Sequence, residues 1–223
     1  MTILIGLKTD VGVIIVGDKK TSGLSDSGEH IGTYHLTKKV NLIQQNMIMG
    51  TAGLDIGIDL RELIRKTLYL RENREINASI KHIEDTLSYN YNSYRKLNEH
   101  SSYKELLAFV GGYDREKKAP FLYEFSQING FKPTRIFKPF VIASPSDEIT
   151  NTLHALISEN LQNPGGLEDT VTFLADIIRN IDSPSVSKEC FGIILLYDKK
   201  EDAFKPAMYD IDVKGKVTDN YIK

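Results

Sequence analysis

Thr2 is the residue in this chain best suited to covalent chemistry. A threonine hydroxyl in mid-chain has no base beside it. At a free N-terminus it carries its own, an α-amine whose ordinary pKa is about 7.7–8.0. Thr2 follows Met1 directly, and a small second residue is the kind that methionine removal exposes, so Thr2 is expected to become terminal. Such a nucleophile needs a cation that keeps the amine deprotonated and helps move the proton. It also needs a carboxylate to hold that cation, and backbone N–H donors for the oxyanion of the tetrahedral intermediate. Asp18, Lys39 and Gly53 supply these three types, each close to the end of an expected strand.

The elements that must position them follow from hydrophobic patterning. Residues 2–18 read as two strands punctuated at Thr9-Asp10-Val11-Gly12. The unbroken apolar run Val13–Val16 suggests a strand covered on both faces. In an antiparallel start of this kind Asp18 returns beside Thr2. Residues 19–38 are expected to be loop, and VNLIQQNMIMGTAG to form two short strands ending at a small-residue corner. From Ile58 the period becomes helical, with Leu60, Leu63, Ile64, Thr67 and Leu68 on one face. Residues 77–97 repeat it with Ile80, Ile83, Leu87, Tyr91 and Tyr94.

A β unit follows over residues 105–130, with turns at Asp114–Lys118 and Asn129-Gly130. Strand FVIAS leads to a helix capped by Ser146 or Asp147; NPGG breaks it, a fourth helix follows, and CFGIILLYD and AFKPAMYDID close the chain as strands. Strands and helices arriving in pairs argue for antiparallel sheets with segregated helices. The expected fold is therefore α+β: a four-layer α-β-β-α sandwich of two stacked antiparallel sheets flanked by helix pairs, in one domain spanning 1–223.

The 223 residues carry a formal net charge of −2, which gives no bulk electrostatic case for nucleic acid or an anionic membrane surface. The single cysteine, Cys190, lies in a strand-like apolar run where a buried thiol is the default. With one cysteine, no charged leader ahead of an apolar run, and no apolar stretch approaching about 18 residues, a soluble, cytoplasmic protein is expected. His30, His35, His82, His100 and His154 lack metal-ligand spacing. No metal or other cofactor is expected.

The chain resembles β-type proteasome subunits and their bacterial ATP-dependent protease relatives, within the N-terminal nucleophile hydrolase superfamily. The likeness is carried by Thr2, Gly6, VIIVGD ending at Asp18, Lys20, the pair Lys38-Lys39 and the corner Ala52-Gly53. The Thr2–Asp18 and Lys39–Gly53 intervals match the family pattern without a gap. FVGGYD at 109–114 resembles the family's central strand and turn. Ser144 falls where the family has Gly-Ser-Gly, and Asp182-Ser183-Pro184-Ser185 where it has Arg-Asp-x-x-Ser. Four features depart from the pattern: a longer 20–38 segment, Ala-Ser-Pro-Ser around Ser144, no glycine after Ser185-Val186, and Lys20 in place of arginine.

The resemblance implies a threonine-type endopeptidase acting on peptides or unfolded proteins inside a stacked homo- or hetero-oligomeric ring. An α-type ring or an unfoldase ATPase would be further partners. It implies that Thr2 Oγ attacks the scissile carbonyl and the α-amine takes the proton. Lys39, held by Asp18, would tune the amine, and the Gly53 N–H would serve the oxyanion hole. Asp182, Ser185 and Ser144 would orient Thr2. The pocket for the residue before the cut would be lined by Thr21, Thr37, Asn41, Thr51, Asp55 and Asp59, a polar lining with acidic depth that suits basic residues. A noncatalytic ring subunit, or a small-amide hydrolase or acyl transferase of the same superfamily acting without a ring, would fit the same residues.

Overall fold

The computed structural model describes residues 2–24, 30–70, 75–101, 104–160 and 166–221. The chain opens with a hairpin of β1 (Leu4–Lys8) and β2 (Gly12–Asp18), paired with Leu4 opposite Gly17. The expected turn closes it: the Thr9 N–H donates to Gly12 O at 2.9 Å. All seven residues of β2 are buried, because the strand is covered twice. Ile14 and Val16 pack among the residues of one core, and Val13 and Ile15 among those of another. The uninterrupted apolar run is the sequence trace of that double burial.

β2 lies between β1 and β11 (Cys190–Asp198) in a six-stranded antiparallel sheet. Its order is β10 (Phe140–Ala143), β1, β2, β11, β12 (Ala203–Ile211) and β13 (Val217–Tyr221). The second sheet, also antiparallel, runs β5 (Val40–Gln44), β6 (Met47–Gly53), β7 (Leu106–Asp114), β8 (Ala119–Ser126) and the two-residue β9 (Thr134–Arg135). The sheets meet across a core built around Leu4, Ile15, Ile48, Phe109 and Ile193. At Gly50 they come too close for a side chain, since a Cβ there would stand 2.8 Å from Leu4 Cδ1 and 3.0 Å from Ile15 Cγ2.

Helices α1 (Ile56–Tyr69) and α2 (Ile76–Leu97) pack with the second sheet around Ile64, Ile83 and Val110. Helices α3 (Asp147–Asn160) and α4 (Leu167–Asn180) pack with the first around Leu153, Ile178 and Ile14. The described residues thus form a mixed α+β arrangement with antiparallel sheets and four α-helices, compatible with the expected sandwich. Ser146 caps α3, its hydroxyl accepting the Ile149 N–H at 3.3 Å. Most of the NPGG break lies outside the described residues; Gly166, its last residue, is the N-cap of α4.

Three expectations need correction. Residues 20–36 are not simply loop: β3 (Lys20–Leu24) pairs antiparallel with β4 (His30–Leu36) as a separate two-stranded ribbon. Two short strands, β9 and β13, add to the sheets. On α1 the inner stripe is Gly57, Leu60, Arg61, Ile64 and Leu68, while Leu63 is exposed. A charged residue therefore occupies a position on the helix face that turns inward. Among the described residues no helix is long and apolar enough to cross a membrane.

Candidate active site

Topology brings six strand ends to one edge of the stacked sheets. The Leu4–Gly17 register sets Ile3 beside Asp18, and the two lock reciprocally: Ile3 N–H donates to Asp18 Oδ1 at 2.9 Å and Asp18 N–H to Ile3 O at 3.1 Å. Cys190 opposite Asp18 places the segment before β11 at the same edge. Ala143 opposite Leu4 places Ser144 there too. From the second sheet come the start of β5, preceded by Lys39, and the end of β6 at Gly53. Their ladder continues one step outward, where Thr51 N–H donates to Lys39 O at 3.0 Å.

At this edge Lys39 Nζ lies 2.5 Å from Thr2 Oγ1 and 3.4 Å from Asp18 Oδ1. It also donates to the Lys20 carbonyl. All three side-chain partners are enclosed: Thr2 is 6% exposed, Lys39 5% and Asp18 0%. Asp18 is fixed independently of the lysine by backbone donors, with Lys20 N–H at 3.0 Å and Ser187 N–H at 3.2 Å on Oδ2 besides Ile3 on Oδ1. Burial pushes the Lys39 amine below its ordinary pKa of 10.5, and the nearby Arg61 guanidinium acts in the same direction; Asp18 opposes both. Burial and Arg61 thus shift Lys39 toward its neutral form while its Nζ stays in contact with the Thr2 hydroxyl.

Gly53 has φ +99°, and a Cβ there would stand 2.2 Å from Glu105 O. Only glycine is at ease in such backbone. Strand alternation turns its N–H toward the same side as that of Thr51, which faces Lys39.

The remaining expected site residues are placed less uniformly. The Ser144 hydroxyl is engaged with its own loop, 2.8 Å from Ser146 O and 2.7 Å from Thr150 Oγ1. Asp182 is exposed, and no contact among the described residues ties it to Thr2. Ser185 is half-buried, and its N–H donates to Ser183 Oγ at 3.3 Å. In this loop the Ser187 N–H is the group that reaches the Asp18 carboxylate.

Among the residues expected to line the pocket, Thr21 lies within β3 and Thr37 just after β4, both half-buried. Thr51 is buried, with its hydroxyl 2.6 Å from Arg61 Nη1. Asp55 and Asp59 are exposed; Asp55 caps α1 by accepting the Ile56 N–H at 3.0 Å, so neither provides depth. The carboxylate that meets the expected lining is Glu62, which accepts from the Asn41 amide. Glu62 and Arg61 were not anticipated. Arg61 carried a readable signal, a cation on an apolar stripe; Ser187 carried none, because a backbone donor has no side-chain signature.

Among the described residues no group of three His, Cys, Asp or Glu side chains is gathered as metal ligands would be. Compared with protein-family models and with curated proteins, the sequence matches none.

Proposed function

We propose that this chain is a threonine-type endopeptidase subunit of the N-terminal nucleophile class, similar to β-type proteasome subunits, with Thr2 as nucleophile once Met1 is removed. The observation that carries the reading is the buried contact of Lys39 Nζ with Thr2 Oγ1, backed by Asp18. Thr2 Oγ attacks the scissile carbonyl while its proton passes to the Lys39 amine or to the freed α-amine. The Gly53 N–H stabilises the oxyanion; the amine that took the proton then passes it to the departing peptide nitrogen as the C–N bond breaks, and water, with that amine again neutral and acting as base, hydrolyses the resulting Thr2 ester to release the acid. The antiparallel sheets with two flanking helix pairs serve as the four-layer sandwich of that superfamily, and subunits assemble into a ring that encloses the sites.

Fluorogenic peptide turnover by the wild type and Thr2→Ala tests this directly. The wild type, with Met1 absent by intact mass, should cleave, and Thr2→Ala should be inactive while keeping its assembly state. Equal turnover by Thr2→Ala would reject Thr2 as the nucleophile.

A further inference from the structure

Arg61 is the largest of the fully buried side chains outside the Thr2–Lys39–Asp18 group, and it is a cation with 1% exposure. Burying a guanidinium is costly, and an apolar side chain on this stripe of α1 would avoid the cost. Its partners are neutral oxygens: Lys38 O at 2.6 Å, Lys39 O at 2.7 Å and Thr51 Oγ1 at 2.6 Å. Its Nε finds no partner among the described residues. A planar fork with fixed donors suits one task, holding several oxygens in a single geometry. The three oxygens belong to the segment that carries the Lys39 amine and to Thr51, which sits on the strand ending at Gly53.

We propose that Arg61 is a positioning residue, whose guanidinium locks the Lys38-Lys39 backbone to Thr51 and so holds Lys39 Nζ against Thr2 Oγ1. Its role as a help to catalysis rests on the function proposed above; the positioning itself does not. The charge of Arg61 adds to the effect of burial on the Lys39 amine. The other groups facing that amine are Asp18 from β2, Cys190 from β11, the Lys20 carbonyl from β3 and Thr2.

Two variants and two readouts test the assignment. Arg61→Met keeps the stripe filled and removes charge and fork together; Arg61→Lys keeps the charge and loses the fork. The first readout is the titration of the Lys39 amine by nitrogen-15 NMR, which needs no activity. The second is kcat and KM for a fluorogenic peptide. Arg61→Met should raise the Lys39 titration midpoint and lower kcat on the order of 10- to 100-fold with KM little changed. Arg61→Lys should restore the midpoint and leave kcat low.

A wild-type midpoint and kcat in Arg61→Met would overturn the proposal, and so would full kcat in Arg61→Lys. If Arg61→Met does not fold, Arg61→Lys decides through its kcat alone. If the wild type has no peptidase activity, the proposed function fails by itself. The positioning role then stands or falls on a crystal structure of Arg61→Lys: Lys39 Nζ displaced from Thr2 Oγ1 supports it, and Lys39 Nζ unmoved overturns it.

Discussion

A lysine amine can take a proton from threonine only in its neutral form, and at Lys39 burial favours that form. The amine's lowered pKa has two consequences of known sign. If Lys39 takes the Thr2 proton, peptidase activity should rise with pH through its depressed pKa, a limb that Lys39→Met removes along with about 10²–10⁴-fold of the rate; a rising limb that survives in Lys39→Met would assign the base to the freed α-amine. Stability should also respond. Between the lowered folded value and the ordinary 10.5, the unfolded chain binds a proton that the folded chain does not, so unfolding free energy rises with pH across that window and is flat below it. Denaturant titrations at several pH values should show the rise in the wild type and its loss in Lys39→Met. The meeting of Thr2, Asp18 and Lys39 was legible in the sequence because their types complement one another and an antiparallel start returns Asp18 beside Thr2. Arg61 was not anticipated because Leu63 fits the same apolar period on α1, although Arg61 turns inward and Leu63 is exposed.

Strand ends decide where those side chains meet. The β1–β2 hairpin and the double burial of β2 were readable from apolar patterning, whereas Thr51–Gly53, expected as a corner, continue β6 in its ladder with β7. The β3–β4 ribbon was not readable. KTSGL has no apolar alternation to mark it as a strand, and its pairing with β4 lies outside both main sheets. Gly53 gives the sharpest test at this scale. With φ +99° and Glu105 O in the way, Gly53→Ala should cost about 1–3 kcal/mol of stability in urea unfolding. It should also slow Thr2 acylation beyond what the lost stability explains, because the backbone donor moves. Helix α1 supplies the corresponding test of specificity. If the expected lining serves as the pocket for the residue before the cut, its acid is Glu62, which accepts from Asn41 and is paired with Arg65 at 2.9 Å, in place of the exposed Asp55 and Asp59. In a peptide panel, arginine before the cut should be preferred over leucine, with the preference lost in Glu62→Gln; a wild-type preference for leucine would contradict it.

For the molecule as a whole, two antiparallel sheets meeting at one core bring residues from both ends of the chain to a single edge, from Thr2 to Ser187. Local sequence reading recovers the longer strands of both sheets but not this closure, which depends on registers such as Cys190 opposite Asp18. The proposed ring predicts a native mass that is a multiple of the subunit mass, unchanged in Thr2→Ala; a monomer would leave the site without its enclosing chamber. The central claim, that Thr2 is a terminal nucleophile, is most directly tested by treating the purified protein with a peptide epoxyketone, which engages both Oγ and the α-amine, and measuring intact mass. The expected result is a chain lacking Met1 and heavier by one inhibitor, with fragment masses assigning the addition to Thr2 and no addition in Thr2→Ala. A chain that retains Met1 and gains no mass would contradict the account.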